Sequence, residues 1–249
     1  MAVHIQLNTT ELPLDNRRTV LSLFKHGLEL YGGPYMIAQY YDRPRPKPYA
    51  WGLYLPGAKF LGSIQIKDPF MRLIFSTDDL KVFCDFYNAL NMLRGREVKI
   101  SGIGMMVSNI TMMEENVVLS GDTWIKMLSP LVVREHDREA NRDKYYTVDD
   151  LGFEHQLIRS VETQLYALGK NPAWIQTLHV LDTSQAKRAM VTHYDRYVPA
   201  TVGRLRISGS MELIKLLQKI GMGAQRSAGF GLFDAERPGG SYFNPTDIR

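Results

Sequence analysis

Apolar and polar positions along this chain alternate between two periods. Val20, Leu21, Leu23, Phe24, Leu28 and Tyr31 recur at steps of three and four, which predicts a helix over about 16–31, ended by Gly32-Gly33-Pro34. A second stripe, Leu80, Phe83, Cys84, Tyr87 and Leu90, follows the helix start Thr77-Asp78-Asp79 and runs out at Gly95. Leu157, Ile158, Val161, Leu165 and Leu168 mark a third helix over 149–168, ending at Gly169. The fourth is MELIKLLQKI, with Ser210 as its N-cap and Gly221 just past its end.

Strand patterns surround these helices. HIQLN precedes the first; LGSIQIK and MRLIFST flank the break at Asp68-Pro69; EVKISGIGM and SNITMM close the first half. DTWIKMLSPLVVR, WIQTLHVLD, AMVTHY, TVGRLRIS and FGLFDA read as strands of the second half. The order β-α-β-β-α-β therefore occurs twice, although no repeat of sequence accompanies it. It predicts an α+β chain of tandem ferredoxin-like (RRM-like) βαββαβ domains. The expected units are residues 1–120 and 121–235, followed by a polar tail at 236–249.

Two segments break the pattern. YYDRPRPKP is basic, and its three alternating prolines exclude a central strand or a helix interior. REHDREANRDK reads as a charged linker.

Composition narrows the class. With 45% hydrophobic and 22% charged residues, 249 residues supply ample core for one large or two small domains. A single cysteine, Cys84, excludes an intrachain disulfide and a cysteine-built zinc site. The N-terminal MAVHIQLNTTELPL lacks the basic and apolar regions of a signal peptide, and no apolar run is long enough to span a bilayer. A cytoplasmic protein with no membrane partner is expected. The formal net charge of +4 says little until the positions of the cations are known.

GMGAQRSAGFG (221–231) carries the most information. Its glycines suggest a phosphate loop, but nucleotide loops run from a strand into a helix N-terminus, and this one leaves a helix C-terminus. That end of the dipole repels an anion on its axis. A cap at Gly221 explains one glycine; the others imply a backbone that something approaches closely, with Arg226 and Ser227 between them.

A ferredoxin-like pair whose last helix enters G-x-G-x-x-R-S-x-G-F-G and then an apolar strand resembles the RAMP superfamily of CRISPR-associated proteins. The chain is similar to its endoribonuclease family, which processes CRISPR repeat RNA. The matching pieces are GMGAQRSAGFGLF, the preceding ATVGRLRISGSMELIKLLQKI, and SPLVVR (129–134). The resemblance implies a metal-independent endoribonuclease needing no cofactor. It would bind repeat RNA, as a stem-loop or single strand, and cut precursor transcripts into crRNAs. Attack by the 2′-hydroxyl leaves a 2′,3′-cyclic phosphate and a 5′-hydroxyl. It would act as a monomer or homodimer, alone or with a CRISPR effector complex.

Such chemistry needs a group to take the 2′ proton, one to protonate the leaving oxygen, and positive charge at the phosphorane. In the family these groups come from the first helix and the loop after it. Here that implies His26 for proton transfer, with Tyr41 (or Tyr40) and Lys47 completing the catalytic set. No histidine lies between His26 and His136, a departure from the usual histidine-based arrangement. Lys25, Arg43 and Arg45 are candidate RNA contacts beside this set. Arg204 and Arg206 alternate onto one strand face, Lys187 and Arg188 precede AMVTHY, and Gly223, Arg226 and Ser227 lie in the glycine loop; all are expected to meet RNA. His136, His155, His179 and His193 read as structural or solvent-facing. The rival reading is a non-catalytic RAMP subunit that binds crRNA in an effector complex. A general RRM-like protein is disfavoured because no RNP1-like aromatic run is present.

Overall fold

A computed structural model describes residues 1–42, 45–66, 70–100, 102–137 and 139–236. Arg43 and the tail beyond 236 lie outside the described residues.

The first half contains β1 (Ala2–Asn8), β2 (Glu11–Leu12), α1 (Asn16–Tyr41), β3 (Tyr49–Tyr54), β4 (Lys59–Phe60), β5 (Ile64–Gln65), β6 (Phe70–Thr77), α2 (Leu80–Met92), β7 (Glu97–Ile100) and β8 (Ile103–Met112). The main sheet runs β3-β6-β1-β8-β7, so the four principal strands have the ferredoxin-like order. The second half contains β9 (Asp122–Met127), β10 (Val133–Asp137), β11 (Arg142–Tyr146), α3 (Phe153–Ala167), β12 (His179–Asp182), β13 (Ala186–His193), β14 (Arg196–Ser208), α4 (Met211–Ile220) and β15 (Phe233–Ala235). Its sheet runs β12-β14-β9-β15, the same order as the first. Each half has its own apolar core. One is centred on Ile5, Leu23, Phe24, Phe75 and Phe86, and the other on Ile125, Leu157, Leu205, Leu213 and Leu217.

Several local expectations change. Gly32-Gly33-Pro34 bends the first helix instead of ending it. Gly32 and Gly33 leave helical geometry, Gly33 at φ 69°, and the chain then resumes as a helix to Tyr41 with Pro34 in its first turn. Proline is tolerated there because the N–H it lacks would be unpaired anyway. Tyr40 and Tyr41 are therefore helical.

The second strand of the first sheet is YAWGLY, not LGSIQIK, which contributes only Ile64–Gln65 to a small side sheet with β2 and β4. Tyr49, Ala50, Trp51 and Gly52 are all buried, so β3 shows no alternation. Its second face is covered by the other half of the chain. REHDREANRDK is likewise no linker: β10 and β11 pair as a hairpin around a turn in which Asp137 accepts from the Glu139 and Ala140 amides.

The glycine loop performs that covering. The Trp51 indole N–H donates to the Ser227 carbonyl at 2.9 Å, and Arg17 Nε donates to the Gly229 carbonyl at 3.2 Å. The Arg17 guanidinium also lies 4.2 Å from the Phe230 ring centroid. Gly229, at φ 88°, has no room for a Cβ, which would fall 2.5–2.8 Å from the Trp51 ring. A Cβ on Gly223 (φ 80°) would meet the Val132 carbonyl at 2.5 Å. Something does approach this backbone closely, and it is the protein itself.

Arg226 departs from its expected role. Its side chain is buried, and Nη1 donates to the Ile220 carbonyl at 2.6 Å, capping the end of α4. The cation sits at the negative end of that helix, while burial pulls its pKa down to about 9 and the neighbouring Tyr49 partly offsets the shift. It is a structural cap, not a surface arm. Gly223 is buried, and Ser227 offers its carbonyl to Trp51.

A polar cluster closes the other side of the seam. His193 is buried against Phe230, with its Nδ1 3.7 Å from Asp15 Oδ1, while Asp15 Oδ2 accepts from the Tyr194 amide at 2.8 Å. Burial lowers the His193 pKa more than Asp15 raises it.

Three outcomes follow from this seam. Gly229→Ala should destabilise the protein by about 2 kcal/mol or more, because it strains a left-handed backbone and strikes Trp51. Arg226→Met should also lower the melting temperature, because it removes the buried cap from the end of α4. Thermal denaturation checks both, and a variant as stable as the wild type would contradict the role of Arg226 as a cap. Acid should weaken the fold through His193. The unfolded chain takes up this proton near pH 6.5 and the folded chain only below that, so stability falls as pH drops through that value. Melting curves from pH 8 to 5 should show this slope, and His193→Gln should flatten it.

Candidate nucleic-acid interface

A cleft of about 670 Å³ opens where the two halves meet. Arg45 and Lys47 come from the segment between α1 and β3; Arg134 and His136 from β10; Arg159 and Gln164 from α3; Gly223 to Ser227 from the glycine loop. The volume is in the range of small-ligand sites and admits a nucleotide.

Its charges differ in their commitments. Arg134 pairs with Asp143 at 3.1 Å, and Arg159 stands 3.8 Å from Glu135. Arg45 and Lys47 make no ion pair among the described residues. Burial, reinforced by Arg45, lowers the pKa of Lys47. Two acceptors on the lining, Gln164 Oε1 and Gln225 Oε1, are buried without a hydrogen-bond partner. An acceptor buried in that way costs free energy until a donor reaches it.

Lys25 joins Lys47 over one ring. Their Nζ atoms lie 5.1 and 5.8 Å from the Tyr41 centroid. The Tyr41 hydroxyl is buried against that of Tyr49, and burial drives its pKa far above the ordinary value. It is therefore a poor proton donor, and its ring is the platform that holds the two lysines. Tyr40 is committed elsewhere, donating to Asp85 at 2.5 Å beside Lys81. His26 follows Lys25, so it projects about 100° around α1. It is half-buried.

The strand arginines face solvent as the alternation predicts, with Leu205 and Ile207 fully buried behind them. Their charges are already matched. Arg206 grips both carboxylate oxygens of Asp122 at 2.9 and 2.8 Å, and Arg204 lies 2.8 Å from Glu236. Lys187 and Arg188 lie within β13, exposed, on a strand paired to β14 and away from the cleft lining. Sequence reasoning passed over Arg134, His136, Arg159, Gln164 and Gln225, which come together only when the hairpin, α3 and the loop pack.

Residues 113–235 match the family described as CRISPR associated protein Cas6, C-terminal. No curated protein matches the chain. Among solved structures, it is similar to a RAMP protein that binds different RNA substrates (20% identity, 95% of this chain and 100% of that one, TM-score 0.78). It is equally similar to a Cas6-related protein from Pyrococcus furiosus (16%, 95% and 98%, 0.78). Cas6 of Thermus thermophilus has the same fold at 17% identity, over 94% and 97% of the two chains, with a TM-score of 0.59. With the tandem ferredoxin-like fold and the glycine loop, the chain is similar to the Cas6 family of CRISPR-associated RAMP proteins, whose C-terminal model matches its second half.

Proposed function

We propose that this protein binds CRISPR repeat RNA in the cleft between its halves and cuts the precursor transcript there into crRNAs. The observation that carries the reading is the cleft itself. Among the described residues, Lys47, Arg45 and the neighbouring Lys25 supply positive charge without a carboxylate ion pair, next to two buried acceptors that lack donors. Ribose hydroxyls and base amines are donors, and phosphates take the cations, so an RNA strand satisfies both demands. A duplex surface role for Arg204 and Arg206 has less support, because each is already matched by a carboxylate.

The reaction is 2′-hydroxyl attack on the adjacent phosphate without metal. The bond from phosphorus to the 5′ oxygen breaks, leaving a cyclic phosphate and a 5′-hydroxyl. Lys47 stands over the scissile phosphate, where its lowered pKa makes the ammonium a stronger acid toward the leaving oxygen. Lys25 and Arg45 hold the flanking phosphates, and the Tyr41 ring fixes the spacing of the lysines.

Incubation with the source genome's repeat RNA tests this directly. Cleavage should persist in EDTA and stop when the scissile nucleotide is 2′-deoxy. Lys47→Ala should slow it about 100-fold while RNA affinity falls much less, and His26→Ala should stay close to wild type. Tight binding with no cleavage by the wild type would instead favour a crRNA-binding RAMP subunit. Cleavage lost in EDTA would refute the metal-free step.

A further inference from the structure

The cleft has a cation on one wall and still lacks a group to take the 2′ proton. His26 is not on the cleft lining among the described residues, and the Tyr41 hydroxyl is buried and hard to ionise. The β10–β11 hairpin carries the one histidine on the cleft lining among the described residues. We propose that His136 is the general base of this site, positioned by Asp143, and acts across the cleft from Lys47. The proposal rests on the endoribonuclease reading above.

The geometry is set by strand register. His136 and Asp143 are directly opposed in the antiparallel pair, and Arg134 and Tyr145 are the next opposed pair on the same face. His136 Nδ1 lies 2.8 Å from Asp143 Oδ1, and Arg134 Nη1 lies 3.1 Å from Oδ2. The Tyr145 hydroxyl is 3.5 Å from the same oxygen. Burial pushes the Asp143 pKa upward, but the His136 hydrogen bond and the Arg134 charge outweigh it and keep the group ionised. An ionised carboxylate only accepts, so Nδ1 carries the proton and Nε2 is left as the basic nitrogen. Its side chain is 44% exposed, open to a substrate.

The hairpin is also held firmly. Val133 at its base is fully buried, the Tyr146 hydroxyl donates to Glu135 at 2.7 Å, and Gln156 of α3 donates to the Arg134 carbonyl at 3.3 Å. A surface ion pair alone contributes little to stability, so this network gains little by being there. Its orientation of one imidazole nitrogen is what a proton-transfer site requires.

The step balances without another reactant. Nε2 of His136 takes the 2′-hydroxyl proton as that oxygen bonds to phosphorus. The bond to the 5′ oxygen breaks, and Lys47 gives that oxygen a proton. Solvent then returns one proton to Lys47 and takes one from His136. Among the described residues, the charged groups around this pair are Arg134, Glu135 and Asp143 on the hairpin, Arg159 of α3, Arg45 beside Lys47 and the buried Arg226.

Single-turnover cleavage of repeat RNA across pH is the test, with affinity for the uncleavable 2′-deoxy RNA measured alongside. Wild type should show a bell, rising as His136 loses its proton and falling as Lys47 loses its own. His136→Gln should cut about 100-fold more slowly with affinity and melting temperature unchanged, and the acidic limb should vanish. Free imidazole should restore part of the activity of His136→Gly. Asp143→Asn should slow cleavage in wild type and have no further effect in the His136→Gln background. A His136→Gln enzyme that cuts at the wild-type rate with its acidic limb intact overturns the assignment while leaving the endoribonuclease reading in place. A wild type that binds repeat RNA and never cuts it removes both.

Discussion

The contact between the glycine loop and the β3 face holds this molecule together as one object. Trp51 and Arg17, both from the first half, reach the carbonyls of Ser227 and Gly229 in the second. The Trp51 ring occupies the space that any side chain at 229 would need. The loop pinned on that side also lines the cleft, where Gly223 to Ser227 join Lys47 and Arg134. Two small ferredoxin-like units with separate cores thus share one rigid seam. The chemistry proposed here needs both sides of it.

Arg226 shows how a residue can carry a motif without carrying its function. A buried guanidinium is costly unless partnered, and the carbonyl end of α4 supplies both a hydrogen bond and a negative potential. The loop leaves a helix C-terminus, which is wrong for holding a phosphate and right for holding an arginine. The orientation that excludes a nucleotide site is what lets this cation be stored inside the protein.

Much of the architecture was legible in the sequence. The order of both βαββαβ units follows from alternating periods apart from β3, and the α4 N-cap at Ser210 and Leu205/Ile207 burial follow from local pattern. What was illegible has a common cause. β3 shows no alternation because the second half buries its outer face, and the β10–β11 hairpin hides in a run of charges because polar residues fill the opposed positions toward its turn, from Glu135/Lys144 to Asp137/Arg142. The glycine spacing announced close approach, but not that Trp51 does the approaching. At the site, Lys25, Tyr41 and Lys47 come together as the first helix and its following segment suggested. His26 is the next residue along α1, about 100° round the helix from Lys25. His136 reads as a linker histidine in the sequence, since only the fold brings residues 136 and 47 onto one cleft lining.

The central claim is that RNA lies in the cleft between the halves and not along the outer face of the second sheet. Hydrogen–deuterium exchange with and without uncleavable 2′-deoxy repeat RNA tests it in one measurement. The account predicts new protection at 45–48, 133–137 and 223–227, and none on the stretch around Arg204 and Arg206. Protection confined to that strand, with the cleft unchanged, would contradict it.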